Sequence, residues 1–283
     1  MAKIATIGFF DGVHRGHRFL FAQLQDRARA LNLTPLIYTF DQHPKQVLTG
    51  KCPPMLTLLQ ERQKWLEQYA EVVVLKFTEV QHLTAQEFMS YLHTEQDVDV
   101  LLLGYDHRFG SDGLKGFSEY EKMAHRVGIR VLRAHECLVD AVPVSSTRIR
   151  KLLAEGQVIQ ANQLLGYKYA LTGEVVHGNG IGKQLGFPTA NIQIDALKQL
   201  PASGVYMAHT YLENKMYSVL VNIGNNPTVG NTYVSVEAYI VGYHGDLYGH
   251  KLTVSLEKFI RPEQKFDSLA ELQQQILKDL QTL

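Results

Sequence analysis

Cysteine is scarce: Cys52 and Cys137 are the two in 283 residues, far apart and with no CxxC pair. That argues against a disulfide framework or a cysteine zinc site and suits a reducing compartment. Long apolar runs are missing too, since nothing approaches the ~18 to 20 residues of a membrane span. Residues 1–10 hold a single Lys3 before a short apolar run, without the charged n-region, longer apolar stretch and cleavage site of a secretory leader. A cytoplasmic protein without a membrane partner is expected. Neither charge sign is in excess, as Lys+Arg and Asp+Glu both number 28. With no basic aromatic stripe either, nucleic acid is not an expected partner, and any anion site must be local. There is no internal repeat and no low-complexity linker. What is abundant is hydrophobic residues, 45% of the chain, enough to bury a large core and to build two domains.

The first half alternates. An apolar run at 4–9 is followed by a helical pattern with Leu20, Leu24, Ala28 and Leu31 near one face, stopped by Asn32, and then by a strand at 36–40. Capping boxes at Thr57/Gln60 and Thr84/Glu87 predict two more helices, each followed by a strand, at 72–75 and 100–103. A helix at 118–127 and a strand at 129–132 complete the series. Such alternation predicts a parallel sheet with helices on both faces and ligands at the carboxyl ends of the strands. From about Tyr167 the texture changes to short β-rich segments at 170–176, 206–211, 217–223, 234–241 and 251–259. Residues 213–215 read as a hairpin connection, and a last helix starts at the box Ser268/Glu271. Closing these strands into a small antiparallel barrel removes their exposed edges. The expected domains are residues 1–165 and 166–283.

The first strand runs into GFFDGVHRGH, residues 8–17, so His14 and His17 fall where a helix begins. Free N–H groups and the helix dipole make that an anion site, and two imidazoles add donors. Gly16 leaves room for a nucleotide, and the chemistry that suits the site is attack on the α-phosphate of ATP. Taken alone, such a pair is also an ordinary helix start. A zinc pair would need a third ligand, and no compact cluster supplies one. VSSTRIR, residues 144–150, opens a helix late in the same domain and offers hydroxyls and a guanidinium to phosphates. Alone it reads as a simple cap. GYDHRFG at 104–110 and DQHP at 41–44 are further loops on the same sheet edge.

In the β-rich half, GNGIGKQLGFPTAN spans residues 178–191. It fails as a P-loop, because His177 stands five before Gly182 and Gln184 follows Lys183. What remains is a glycine loop with one lysine, then a strand in which Thr189 and Asn191 share a side and can offer oxygens to a hard cation. A glycine-rich turn beside a buried polar pair is the plainer alternative. Glu237, isolated in an apolar strand, can accept a proton from a substrate hydroxyl, although a lone strand glutamate usually just faces water.

GFFDGVHRGH, TFDQHP, GYDHRFG and VSSTRIR, in this order, resemble the nucleotidylyltransferase half of the prokaryotic bifunctional riboflavin kinase/FAD synthetase family. LGFPTANI, VNIGNNPT, VEAYI, DLYG and FIRPEQKF resemble its riboflavin kinase module, so the likeness covers nearly all of the chain. It implies catalytic roles for His14, His17 and Arg148 in adenylyl transfer. The ATP site of that half would comprise Gly8, Phe9, Asp11, Gly16, Gly104, Asp106, Ser146 and Thr147, with Asp41, Arg108 and Phe109 on the flavin side. For the kinase it implies Glu237 as general base and Thr189 and Asn191 as Mg2+ ligands. Gly178, Gly180, Gly182, Lys183, Gly186, Pro188 and Thr189 would lie around ATP, and Arg261 and Glu263 in a flavin-side loop. ATP is then co-substrate, Mg2+ the cofactor, and riboflavin, FMN and FAD the substrates and products. Small molecules are the only partners implied; an oligomer is possible but not indicated. Gln42 stands where the family commonly has proline, His107 where it has an aromatic or similar residue, and Lys183 where it has arginine; Val229 after the NPT motif is a further departure. An enzyme with one live half and a nonenzymatic flavin or nucleotide sensor remain as alternatives. A tRNA synthetase related through HxGH is disfavoured, since no anticodon-binding extension is visible and residues 122–126 make a poor partner motif.

Overall fold

Apolar runs of period two and period 3.6 alternate through the first half of the chain, and the backbone follows them. The computed structural model describes residues 2–105, 107–114, 116–139, 141–178, 182, 185–228 and 231–282, the side chains of 225–228 and 231–233 excepted. In chain order the first unit, Met1–Ser146, holds β1 (Lys3–Ile7), α1 (Arg15–Leu31), β2 (Thr34–Phe40), α2 (Pro44–Thr49), α3 (Leu59–Leu66) and β3 (Glu71–Leu75). It continues with α4 (Phe77–Val80), α5 (Ala85–Gln96), β4 (Val98–Leu103), α6 (Phe117–Val127), β5 (Arg130–Arg133) and a small hairpin of β6 (Leu138–Val139) and β7 (Val142–Pro143).

The five-stranded sheet runs β3-β2-β1-β4-β5 with every pair parallel. Its central strands are buried on both faces, which is why they read as unbroken apolar runs. Ala5, Ile7, Leu101 and Leu103 face a core completed by Phe88 and Leu92 of α5 and Tyr120 of α6. Ile4, Val100 and Leu102 face the other, closed by Phe21 and Leu24 of α1. Strand order reverses between β1 and β4, so the loops after these two strands border the crevice where a parallel sheet takes its ligands.

Helix boundaries follow local chemistry with one displacement. Thr84 and Glu87 cap α5 reciprocally, at 3.2 Å for the Glu87 N–H and 2.8 Å for the Thr84 N–H. The box expected at Thr57/Gln60 is shifted by one residue: the Glu61 carboxylate takes the Leu58 N–H at 2.9 Å. Thr57 is diverted because its N–H donates to Asp11 at 2.9 Å and its hydroxyl accepts from Gly12 N–H at 2.9 Å.

The second unit, Thr147–Leu283, contains all but the first residue of α7 (Ser146–Ala154), then α8 (Val158–Leu165), β8 (Ala170–Val176), β9 (Thr189–Ile194), β10 (Gly204–Leu212), β11 (Lys215–Thr228), β12 (Asn231–Ile240), β13 (Lys251–Arg261) and α9 (Leu269–Leu280). Six antiparallel strands close in the order β10-β11-β12-β9-β8-β13, which leaves no edge unpaired. Glu213 and Asn214, both at positive φ (51° and 63°), form the two-residue turn joining β10 to β11. Within the second unit α7 and α8 pack on the barrel. Leu153 O accepts the Ala202 N–H, and the Asn162 amide donates to Leu256 O, both at 2.9 Å.

Ser268 caps α9 by accepting the Glu271 N–H at 3.3 Å, while the Glu271 carboxylate turns back to the Asp267 N–H at 3.2 Å, so the expected box forms in one direction only. Its other end is tied to the barrel by Arg261, whose Nε lies 3.0 Å from both Asp279 oxygens and whose Nη2 lies 2.8 Å from Oδ2. Asp279 is 2% exposed while the Arg261 side chain is 18% exposed, so removing the carboxylate leaves a partly solvated guanidinium without its ion-pair partner. Asp279→Ala is expected to lower stability by about 1.5 to 3 kcal/mol, read as a shift in the urea midpoint of the barrel transition.

Candidate active sites

After β1 the chain makes a tight turn through left-handed backbone, at φ 55° for Phe10, 80° for Gly12 and 34° for Val13. A β-branched residue at positive φ is strained, and Val13 is fully buried there. The turn is held by Asp11. Its carboxylate, 3% exposed, accepts the N–H groups of Leu56 at 3.1 Å and Thr57 at 2.9 Å, while its carbonyl accepts the Ser146 hydroxyl at 2.8 Å.

His14 emerges from this turn as the N-cap of α1, its Nδ1 accepting the His17 N–H at 3.3 Å. A neutral His14 therefore carries its proton on Nε2. The two rings stack with centroids 3.6 Å apart at 18°, and Phe10 packs edge-on against His17 at 5.2 Å. His17 Nδ1 is buried without a hydrogen-bond partner among the described residues. Burial first, then His14, then Arg62, hold its pKa well below the ordinary 6.5. Gly16 has a packing reason beyond nucleotide access: a Cβ there would sit 3.2 Å from the His14 ring.

Beside this turn lies a largely apolar cavity of about 570 Å³, walled by Phe9, Phe40, Phe77, Phe88, His107 and Phe109. Arg108 lines it as well. Asp41 ties the cavity's edge together by accepting the N–H groups of Phe77 at 3.0 Å and Gln42 at 2.8 Å. Tyr120 holds Phe109 from behind, donating to its carbonyl and accepting its N–H, both at 2.8 Å.

In the barrel, Thr189 and Asn191 lie on the same side of β9, and Glu237 on β12 pairs in register with Asn191. The Thr189 hydroxyl donates to Glu237 Oε2 at 3.3 Å. Two glycines approach this cluster: a Cβ on Gly178 would run into the Asn191 amide, and one on Gly182 would come 3.3 Å from Thr189 Oγ1. Gly182 O accepts the Phe187 N–H at 2.8 Å, and Gly186, at φ 85°, makes the turn into Pro188 and Thr189. An adjoining cavity of about 350 Å³ is lined by Pro188, Thr189, Tyr243, His244, Asp246 and Tyr248. Hydroxyl, amide and carboxylate oxygens at one spot, without sulfur or imidazole, are the donor set that Mg2+ accepts.

Two separated clusters of phosphate-compatible donors, one at a helix start and one in a barrel, call for comparison with known proteins. Family models described as FAD synthetase and riboflavin kinase match residues 1–148 and 165–283. The bifunctional riboflavin kinase/FMN adenylyltransferase of Escherichia coli (strain K12) is 36% identical over 98% of this chain and 90% of its own length. The chain belongs to the bifunctional riboflavin kinase/FMN adenylyltransferase family. A protein of the same description from Listeria monocytogenes is 32% identical over 99% of the chain and 90% of its own length. A solved chain titled "Macrolide-efflux Protein from Streptococcus pneumoniae" superposes with a TM-score of 0.90 at 30% identity, covering 99% of this chain and 93% of that one. Its title names transport; among the described residues here, no helix is long and apolar enough to cross a membrane.

For a riboflavin kinase/FMN adenylyltransferase, the motif residues fall into three groups. His14, His17, Gly16 and Ser146 gather around the α1 start, Phe9, Arg108 and Phe109 line the larger cavity, and Thr189, Asn191 and Glu237 form the barrel cluster. Asp11, Asp41 and Arg261 have their charged groups engaged by backbone N–H groups or by Asp279, so the structure shows them bracing loops. Gly8 continues the sheet, its N–H reaching Tyr38 O at 3.1 Å, and Gly104 follows β4 with its carbonyl accepting the His107 N–H at 3.2 Å. Glu263 lies against Gly224, where an added Cβ would strike its carboxylate. Thr147 and Arg148 follow Ser146 in α7 and belong to the second unit. Asp106, Gly180 and Lys183 lie outside the described residues.

Sequence reasoning passed over two groups. One is the rim of the smaller cavity, where His177 and Tyr248 rings lie 4.0 Å apart at 30°; the DLYG motif was its available signal. The other is Arg62, 1% exposed, for which an arginine in a helical run gave none.

The depressed His17 pKa has a testable sign. The unfolded chain takes up a proton near pH 6.5 while the folded chain resists it, so stability present at neutral pH is lost as pH falls below about 6.5. His17→Gln is expected to flatten the stability profile between about pH 6.5 and 5, measured by urea unfolding at each pH.

Proposed function

We propose that the first unit transfers the adenylyl group of ATP to FMN at the α1 start, and that the barrel transfers the γ-phosphoryl group of ATP to riboflavin beside Glu237. The broader activity follows from the family: the chain is a bifunctional transferase of ATP-dependent flavin coenzyme synthesis. The observation that supports the division of labour is the existence of two donor clusters in two units, the His14/His17 stack and the Thr189–Glu237 contact.

In the barrel, Glu237 accepts the proton of the ribityl 5' hydroxyl, that oxygen bonds to Pγ, and the bond from Pγ to the bridging oxygen breaks to release ADP. Thr189 and Asn191 would hold Mg2+, which when bound supplies charge neutralisation at the β and γ phosphate oxygens. Gly178 and Gly182 themselves come close to these side chains: a Cβ at 178 would strike the Asn191 amide and one at 182 would crowd Thr189.

In the first unit, a phosphate oxygen of FMN attacks Pα of a second ATP and pyrophosphate leaves. The nucleophile is already anionic, so no general base is needed; positioning and charge stabilisation remain. His14 and His17 supply imidazole donors beside the N–H groups of the α1 start, and a neutral His17 donates without a competing titration at physiological pH. The apolar cavity receives the isoalloxazine ring among Phe9, Phe40 and Phe109, with Arg108 beside it. Its volume, about 570 Å³, falls within the range typical of small-molecule sites, roughly 300–1,000 Å³.

Separate variants test this. Glu237→Gln is expected to lower FMN formation from riboflavin by about 10²-fold or more and spare FAD formation from FMN. His17→Ala is expected to do the reverse, by about 10²-fold. Chromatographic separation of FMN and FAD over time reads both. Equal loss of both activities in either variant contradicts the two-site assignment, and a wild-type chain that makes only one product supports the reading in which one half is inactive.

A further inference from the structure

The chemistry above gives no task to Arg62, a buried cation beside the N-terminal site. Arg62 stands in the first turn of α3, 1% exposed, a rare place for an arginine. Its Nη2 donates to Phe40 O at the end of β2, 2.6 Å away, and its guanidinium lies 4.1 Å from the centre of the Phe9 ring, just beyond β1. Nε and Nη1 are buried with no hydrogen-bond partner among the described residues. An apolar side chain of similar volume would fill the space without burying a charge, so packing alone does not account for an arginine.

What the arginine provides there is position. Phe9 lines the larger cavity, and Phe10, its neighbour, packs on His17. The charged and titratable groups around these rings are His14 at the α1 start, Arg62 from α3, Asp11 in the loop after β1, Asp41 after β2 and His43, the N-cap of α2, whose ring meets Phe9 edge-on at 4.7 Å. Arg18, the next residue in α1, donates to Val13 O at 3.2 Å and lies over Trp65 at 4.7 Å. Burial brings the Arg62 pKa down to about 10, so the group stays charged at neutral pH, with Asp11 and Asp41 opposing the fall.

We propose that Arg62 is a positioning residue for adenylyl transfer, bracing Phe9 in the wall of the flavin cavity and placing a fixed positive charge behind the histidine pair. The proposal rests on the adenylyl-transfer reading of the first unit. It separates two effects: the planar face on Phe9 governs how FMN seats, and the charge governs when His17 takes up a proton.

The test uses the full chain with Arg62→Met and Arg62→Lys, and riboflavin phosphorylation by the barrel as the control for intact protein. Arg62→Met is expected to raise KM for FMN about fivefold and to move the pH dependence of adenylyl-transfer kcat to higher pH, leaving the kinase rate unchanged. Arg62→Lys keeps the charge but not the flat fork; KM for FMN rises while the pH dependence stays where it was. Arg62→Met with wild-type KM and an unmoved pH dependence overturns the proposal. So do variants whose adenylyl-transfer losses merely track the unfolded fraction. If Arg62→Met fails to fold, Arg62→Lys decides by the KM for FMN alone. NMR titration of the His17 ring in wild type and Arg62→Met needs no turnover: an unchanged midpoint overturns the placement of the charge, whereas a chain that makes no FAD from FMN overturns the adenylyl-transfer reading instead.

Discussion

The N-terminal site depends on a buried carboxylate. Asp11 takes two backbone N–H groups from the segment leading into α3, and in doing so holds a turn whose residues Phe10 and Val13 occupy left-handed backbone. Strain at such positions costs about 1 to 3 kcal/mol each, and hydrogen bonds to a charged acceptor contribute about 1.5 to 3 kcal/mol each. The two are of similar size, so the turn persists because Asp11 is bonded. Everything placed by that turn depends on it: the cap at His14, the stack with His17, and the approach of Ser146 to the Asp11 carbonyl.

The barrel reaches comparable order by another route. Closure pairs every strand, so the register between β9 and β12 is set by the whole ring of hydrogen bonds and not by one contact. A one-residue slip would send Thr189 and Asn191 to the opposite face, away from Glu237. Glycine is required by space at two positions beside the cluster: at 178 it avoids the Asn191 amide and at 182 it leaves room for the Thr189 hydroxyl. The rigid pair Arg261–Asp279 then fixes the last helix against the same barrel.

Much of this was legible in residue order. Alternating periods gave the parallel sheet, and the change of texture near residue 167 gave the barrel. Thr84/Glu87 and Ser268/Glu271 marked two helix starts because a capping box lies within four residues. Thr57 misled because its apparent cap is claimed by Asp11, 46 residues away in sequence. The short hairpin of β6 and β7 and the short helices α2 and α4 were not read, since segments of two to six residues carry no periodicity. Asp11, Asp41 and Arg261 stood inside the motifs, but the loop contacts they make are set by neighbours that short-range pattern does not name.

By itself the sequence determined the element types, the two-part architecture and the family, because each is carried by short-range pattern or by ordered motifs. Tertiary structure alone decided which polar groups are buried and what they touch. Arg62 meets Phe40 across 22 residues and Arg261 meets Asp279 across 18, distances over which neither helical nor strand periodicity carries information. Burial decides the chemistry as well: the largest cause of the lowered proton affinity of His17 and Arg62 is packing that excludes water, and that exclusion belongs to the assembled core.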